Sequence, residues 1–361
     1  MQGFSSLSAT KKDGGIDNKK KQTNQKPLSV RSTGSVTLSD VAKLAGVSPI
    51  TVSRVLNRPE LVSASTAEKV HYAISQTGYV PNLLAGGLAS RRSKLIAVII
   101  PSIVNPVYAE SVKFFIDQLK ESGYQVLLGE SGFSEADEEK LLLSILSRRP
   151  DAVYLTGITH SAESRRKLLN ANIPVVETWD LTNTPLDVVV GFSHEKIGEN
   201  VAKFMVGKGY KRIGILSASD QRAHVRQQSF LKTLGSYGIT DVLSAVIPAP
   251  PDLKTSRLGA GEFIDSDLKP EAIFCSSDTI ANGVLIECTA RGLSIPDDLA
   301  IIGFGDQSFS AYTFPALSTV KIDRAEMGKQ AADAMIKRIN GIEDVENIID
   351  IGFKIIERNT T

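Results

Sequence analysis

Apolar positions along the chain fall into three textures. Residues 1–35 carry almost none, and a run such as "KKDGGIDNKKKQTNQK" cannot bury enough surface to fold, which predicts a disordered basic tail. Its lysines are read either as nonspecific phosphate contacts or as a merely solvated leader. From Val36 the apolar residues recur at helical spacing, and Val41, Ala42, Ala45, Val47, Val52, Val55 and Leu56 give the inner faces of a small helical unit over 36–80. Thr37 suits the N-cap of a helix Leu38 to Ala45 that Gly46 ends. Ser48 caps a second helix whose first turn holds Pro49, where the missing N–H costs nothing, and a third helix runs from Ser63 to Gly78.

Beyond Arg92 the pattern alternates. "KLIAVIIPS", "YQVLLGES", "DAVYLTG", "PVVETWD" and "LDVVVGF" are strand-like runs separated by helical stretches such as Tyr108 to Glu121 and Glu138 to Leu146. A second series follows in "RIGILSAS", "AVIPAP", "AIFCSSD" and "LAIIGFGD". Such alternation predicts parallel sheets with helices on both faces, and a region of this length accommodates two of them. The expected fold is an all-α headpiece followed by an α/β core of two lobes, with ligands bound where strand C-termini face a common cleft.

The net charge of +1 conceals an asymmetry. Through Arg92 there are 13 Lys and Arg against 5 Asp and Glu, and beyond it 28 against 35. The basic end suits a polyanion. Two cysteines, Cys275 and Cys288, do not make a disulfide framework and are read as free buried thiols. With no apolar run long enough to span a membrane and no secretory signal, the expected place is the cytoplasm. The four histidines are dispersed at 71, 160, 194 and 224, and there is no metal-spaced Cys/His set, phosphate loop or serine elbow. No enzyme, cofactor or metal is expected.

"LSDVAKLAGVSPITVSRVLN" has the form of a helix-turn-helix with Ser48 to Asn57 as the recognition helix. Arg54 is the best base reader in it, since a guanidinium meets a guanine edge with two hydrogen bonds. Together with "VSASTAEKV", "GYVPN", "LAGGLAS", "PSIVNPVYAES", "VGFSHEKIGENVA", "KGYKRIGIL", "IPDDLAIIGFGD" and "PALSTVKID", the segment resembles LacI/GalR-family transcriptional repressors from Val36 to about Arg358. The resemblance implies a homodimer that binds a near-palindromic, double-stranded operator, and a periplasmic-binding-protein-like core that senses a small molecule. A sugar-binding transport protein would share that core, but it needs an export signal and has no use for a helix-turn-helix.

Carried over position by position, the resemblance assigns base reading to Pro49, Ile50 and Arg54, and phosphate contacts to Thr37, Ser48, Asn57, Ser63 and Asn82. Residues 81–92 align with the hinge helix, with Ala85 and Leu88 in the minor groove. Gly86 and Gly87 weaken that helix, so its formation should depend on operator, and replacing both by alanine should tighten operator binding and blunt the ligand response. The core spans 93–361, with an N-terminal lobe at about 93–192 and 324–340 and a C-terminal lobe at about 193–320 and 345–361. The chain is expected to recross near Ser318 to Asp323 and Asn340 to Asn347. The absence of a leucine heptad tail fits a dimer.

Effector contacts are expected from Tyr108, Thr156, Trp179, Arg222, Arg226 and Asp306. Arg222 and Arg226 form an anion or polyol clamp in chemical terms. Where sugar-binding members carry paired carboxylates this chain has "GFGDQ", so Gly305 replaces the first and Asp306 remains. The motif set looks closest to the gluconate-operon repressors, which implies a sugar acid such as gluconate or a phosphorylated sugar as effector, acting as inducer or, alternatively, as corepressor. Glu177, Ser277 and Asp278 also fall at strand ends, and Asp278 is read as a helix-capping group before a ligand. Trp179 either stacks on a sugar face or fills the core.

Overall fold

Capping chemistry and a handful of valines and alanines explain the first part of the fold. The protein is seen here as a computed structural model describing residues 36–80 and 92–361. The chain divides into two compact units, one through Asn82 and one from Leu83. Asn82, Ala85 and Leu88, expected to touch DNA, lie outside the described residues, as does the basic tail.

In the first unit, α1 (Leu38–Ala45) begins with a capping box. The Thr37 hydroxyl accepts from the Asp40 amide at 3.3 Å while the Asp40 carboxylate accepts from the Thr37 amide at 2.9 Å. Gly46, at φ 67°, ends the helix in the left-handed region. Ser48 caps α2 (Pro49–Asn57) on the Thr51 amide at 3.2 Å, and α3 (Ala64–Thr77) ends at Gly78. Val41, Ala42, Val52, Val55, Val70 and Ala73 close a core of small side chains, and Leu38, Leu56, Ile74 and Tyr79 pack around it.

The second unit holds two six-stranded sheets. In chain order its first half runs β1 (Leu95–Ile100), α4 (Pro106–Leu119), β2 (Gln125–Glu130), α5 (Glu135–Leu146), β3 (Ala152–Thr156), α6 (Ala162–Ala171), β4 (Val175–Thr178) and β5 (Val188–Gly191). The other half runs α7 (His194–Gly207), β6 (Ile213–Ala218), α8 (Gln221–Ser236), β7 (Leu243–Ile247), α9 (Leu253–Ile264), β8 (Ala272–Cys275), α10 (Asp278–Ala290), β9 (Ala300–Gly305) and β10 (Ser318–Lys321). Then come α11 (Arg324–Ile339), β11 (Ile348–Asp350) and β12 (Lys354–Ile356).

The N-terminal lobe's sheet has the order β11-β5-β4-β3-β1-β2 and the C-terminal lobe's β12-β10-β9-β8-β6-β7. Every pairing is parallel except β10 with β12. Central strands such as "LIAVII" and "AIIGFG" are buried on both faces, as parallel sheets covered by helices require.

The chain crosses between lobes after β5, after β10 and after β11. The third crossing comes later than the sequence suggests. Ile348–Asp350 pairs with Val189–Gly191 and completes the N-terminal sheet, and Gly352, at φ 66°, turns the chain before β12 joins the other. The apolar run "NIIDIGFKII" thus holds two short strands of different sheets, not one return segment.

Candidate effector cleft and DNA-reading surface

The C-terminal strand ends of both lobes meet at two adjoining cavities. The smaller, about 50 Å³, is lined by Asn105, Tyr108, Trp179, His194, Arg226 and Gln307 among others; the wider, about 330 Å³, by Thr156, Gly157, Asp180 and Glu138. Phe133, Asp220 and Arg222 line both.

Arg226 on α8 is 4% exposed. Its Nη1 donates to Nδ1 of His194 at 2.8 Å, its Nη2 to the Ser276 carbonyl at 3.0 Å, and its guanidinium lies 4.0 Å from the Phe304 ring centre. The Nε has no hydrogen-bond partner among the described residues. Desolvation lowers the Arg226 pKa to about 10, so it remains a cation at neutral pH. His194 must then accept at Nδ1 and donate from Nε2, which it does to the Trp179 carbonyl at 2.8 Å. Burial, reinforced by the Arg226 charge, pushes the His194 pKa well below its usual value, consistent with that neutral tautomer.

Arg222, one turn earlier, donates from Nη2 to the Tyr108 hydroxyl at 2.8 Å, linking the two lobes; its buried Nη1 has no hydrogen-bond partner among the described residues. The position of a Cβ on Gly157 is 3.7 Å from that Nη1, and φ 104° at Gly157 favours glycine, so the loop after β3 passes close to the guanidinium. The Thr156 hydroxyl beside it is also buried, with no hydrogen-bond partner among the described residues. Trp179 is held in place by a Tyr108 ring at 5.2 Å edge-on and by Nε1 donating to Ser111 at 3.1 Å. It is buried in the core and lines the smaller cavity.

The structure therefore brings Tyr108, Trp179, Arg222 and Arg226 to one place and Thr156 to the adjoining one. Asp306, expected among the effector contacts, lies outside the cleft. Its carboxylate accepts from Arg358 at 2.7 Å and stands 3.7 Å from the Lys321 ammonium, and it lines neither cavity. Backbone φ values of 125° at Gly305 and 48° at Asp306 turn the chain so that Gln307 enters the cleft instead. Asp278 is likewise structural: it accepts from the Gln307 amide and from Ser310 and Thr319, while Ser277 caps α10.

Sequence reasoning missed His194, Asp180, Asp220, Asn105 and Gln307. Asn105 and Asp220 are the N-caps of helices that follow strands, a position from which a side chain faces a cleft at strand C-termini. Burial raises the Asp180 pKa, with Arg222 and Arg226 opposing it. Two arginines thus stand against two aspartates, and the site is amphoteric rather than simply cationic. Glu177 faces away from the cleft, accepting from the Leu186 amide at 2.7 Å, with its other oxygen 3.4 Å from Nε2 of His160. His160 Nδ1 bonds Glu138 at 2.7 Å, and although desolvation opposes it, the two carboxylates raise the His160 pKa to about 9.

In the separate headpiece, Pro49, Ile50 and Arg54 share the exposed side of α2, and Ile50 is 66% exposed. Thr37, Ser48, Asn57 and Ser63 are exposed at helix ends. Of these, Thr37 and Ser48 already use their oxygens as N-caps, and the Asn57 amide donates to the Ser53 carbonyl at 2.9 Å.

Residues 37–82 match the model of bacterial regulatory proteins of the lacI family, and residues 202–361 that of a periplasmic binding protein-like domain. The HTH-type transcriptional regulator GntR of Pseudomonas aeruginosa is 33% identical over 92% of this chain and 97% of that protein. The chain belongs to the LacI family. It is a DNA-binding transcriptional regulator. A LacI-family regulator from Silicibacter pomeroyi has a similar structure, with TM-score 0.85 and 34% identity over 90% of this chain and 99% of that one. The lac repressor dimer bound to operator and an anti-inducer superposes with TM-score 0.76 at 25% identity, covering 91% and 99%. Among the described residues, no helix is long and apolar enough to cross a membrane.

Proposed function

We propose that this LacI-family regulator represses a sugar-acid utilisation operon as a homodimer, and that a sugar acid such as gluconate releases it from operator. The observation that carries the effector class is the pairing of Arg222 and Arg226 with Asp180 and Asp220 around the cleft. Guanidinium groups take a carboxylate, and carboxylates accept hydroxyl protons. A polyhydroxy acid offers both. Likeness to GntR supports this choice. Likeness to a repressor dimer on operator supports the dimeric, DNA-bound state.

Base reading is assigned to Pro49, Ile50 and Arg54, and backbone positioning to Thr37, Ser48, Asn57 and Ser63. The effector is assigned to Tyr108, Thr156, Trp179, Arg222 and Arg226, with His194 and Gln307 added and Asp306 removed. Because the effector bridges two lobes, it alters operator affinity only to the extent that it prefers one lobe arrangement.

Gel shifts on the operator test the reading. Specific binding should weaken steeply as salt rises through counterion release, and gluconate should release the complex while glucose does not. Release by glucose alone would overturn the acidic-effector reading, and tighter binding with gluconate would make the effector a corepressor.

A further inference from the structure

The two cavities of the cleft differ in charge as well as in volume. The smaller is lined by Arg226 and Arg222 with one carboxylate, Asp220. The wider, at about 330 Å³, falls in the range of small-molecule pockets of roughly 300–1,000 Å³ and carries Glu135, Glu138, Asp180 and Asp220 against Arg222 alone. Of these, Glu138 is hydrogen-bonded to His160, which it shares with Glu177, and Asp220 gives one oxygen to the Ala223 amide. Among the described residues, Asp180 has only the Leu181 amide at 2.8 Å as a hydrogen-bond donor. The buried, unpartnered Thr156 hydroxyl and Arg222 Nη1 mark the place where a ligand's polar atoms are wanted.

We propose that the wider cavity is a tail subsite that accepts an uncharged, hydroxyl-bearing chain and rejects a second anionic group, with Asp180 and Asp220 as its specificity-determining residues. The inference rests on the acidic-effector reading and narrows it. An acid group held on the arginine side directs the rest of the molecule past Arg222 into the carboxylates. Hydroxyls there donate to Asp180 and Asp220 and accept from Thr156 and Arg222. A terminal phosphate or second carboxylate would meet like charge in a partly desolvated place, where such juxtaposition is strongly unfavourable. Between a sugar acid and its phosphorylated form, the cleft selects the unphosphorylated one.

Calorimetric titration of the full chain with gluconate and with 6-phosphogluconate tests this, in the parent and in Asp180→Asn and Asp220→Asn, with operator binding as the check that each variant is folded. Gluconate should bind at least roughly tenfold more tightly than 6-phosphogluconate in the parent, and removing one carboxylate should narrow that ratio by roughly tenfold. Equal or tighter binding of 6-phosphogluconate to the parent overturns the proposal, as does a ratio unchanged in both variants. If one variant does not fold, the ratio in the other decides. If neither acid binds the parent, the acidic-effector reading itself falls and the tail subsite falls with it.

Discussion

The Nη1 of Arg226 and the Nδ1 of His194 are 2.8 Å apart, a donor from α8 and an acceptor at the start of α7. The contact ties together two helices that both belong to the C-terminal lobe, and through the Trp179 carbonyl it reaches the N-terminal lobe. Arg226 has donors in two directions and a flat face on Phe304, and lysine reproduces none of that geometry. Arg226→Lys should weaken effector binding by roughly tenfold to a hundredfold, while effector-free operator binding changes by less than about twofold. Calorimetry and gel shift on the same preparation read the two effects.

Two buried histidines give the core opposite pH limbs. The pKa of His194 is lowered, so the unfolded chain takes up the proton first and its contribution to stability is lost as pH falls below 6.5. His160, raised to about 9, contributes fully below 6.5, and that contribution fades as pH rises through 9. Denaturant melts should therefore place maximal core stability near neutral pH. His160→Gln should remove an alkaline limb of roughly 3 kcal/mol, and His194→Gln should flatten the acid limb.

Ile50 exposes a large apolar side chain at the N-terminal end of the recognition helix, where a thymine methyl is a suitable partner. Ile50→Ala should cost about 1 kcal/mol on operators carrying that methyl and little on variants lacking it, whereas Arg54→Ala should cost about 1–3 kcal/mol and relax preference for a guanine. Competition gel shifts with base-substituted operators separate the two.

Asp278 is buried and accepts from three groups around the β9–β10 turn. Asp278→Ala leaves the Gln307 amide and the Ser310 and Thr319 hydroxyls without it, at a cost of roughly 2–4 kcal/mol in urea melts. A larger effect on effector affinity than on stability would instead give Asp278 a direct ligand role.

The alternation of strand and helix, and the helix ends at Thr37, Gly46, Ser48 and Pro49, were legible because local chemistry decides them: caps, breakers and apolar runs act within a few residues. Helix starts were less so. α4 begins at Pro106, with Asn105 as its cap, two residues before the expected start at Tyr108, and α5 begins at Glu135 rather than Glu138. Arg222, Arg226, Tyr108 and Trp179 could be named as a group because they follow strand ends and match a family pattern. Asp306 could not be placed correctly, since its direction depends on two successive positive φ values and on Arg358, 52 residues away. The part played by His194 was hidden for a related reason. Its chemistry is set by Arg226, 32 residues along the chain, and no local pattern encodes such a partner.

The three crossings between lobes also bear on how relatives of this protein can exchange parts. The headpiece is one uninterrupted stretch, so a single recombination point downstream of it hands a new operator preference to an old sensor. Neither lobe of the sensor is uninterrupted: each sheet is finished by a strand from beyond α11. A graft of one lobe needs several simultaneous joins, and a cut at any one of them leaves a sheet with a foreign edge. Exchanging the cleft therefore means exchanging the whole core, while the headpiece can be exchanged with one join.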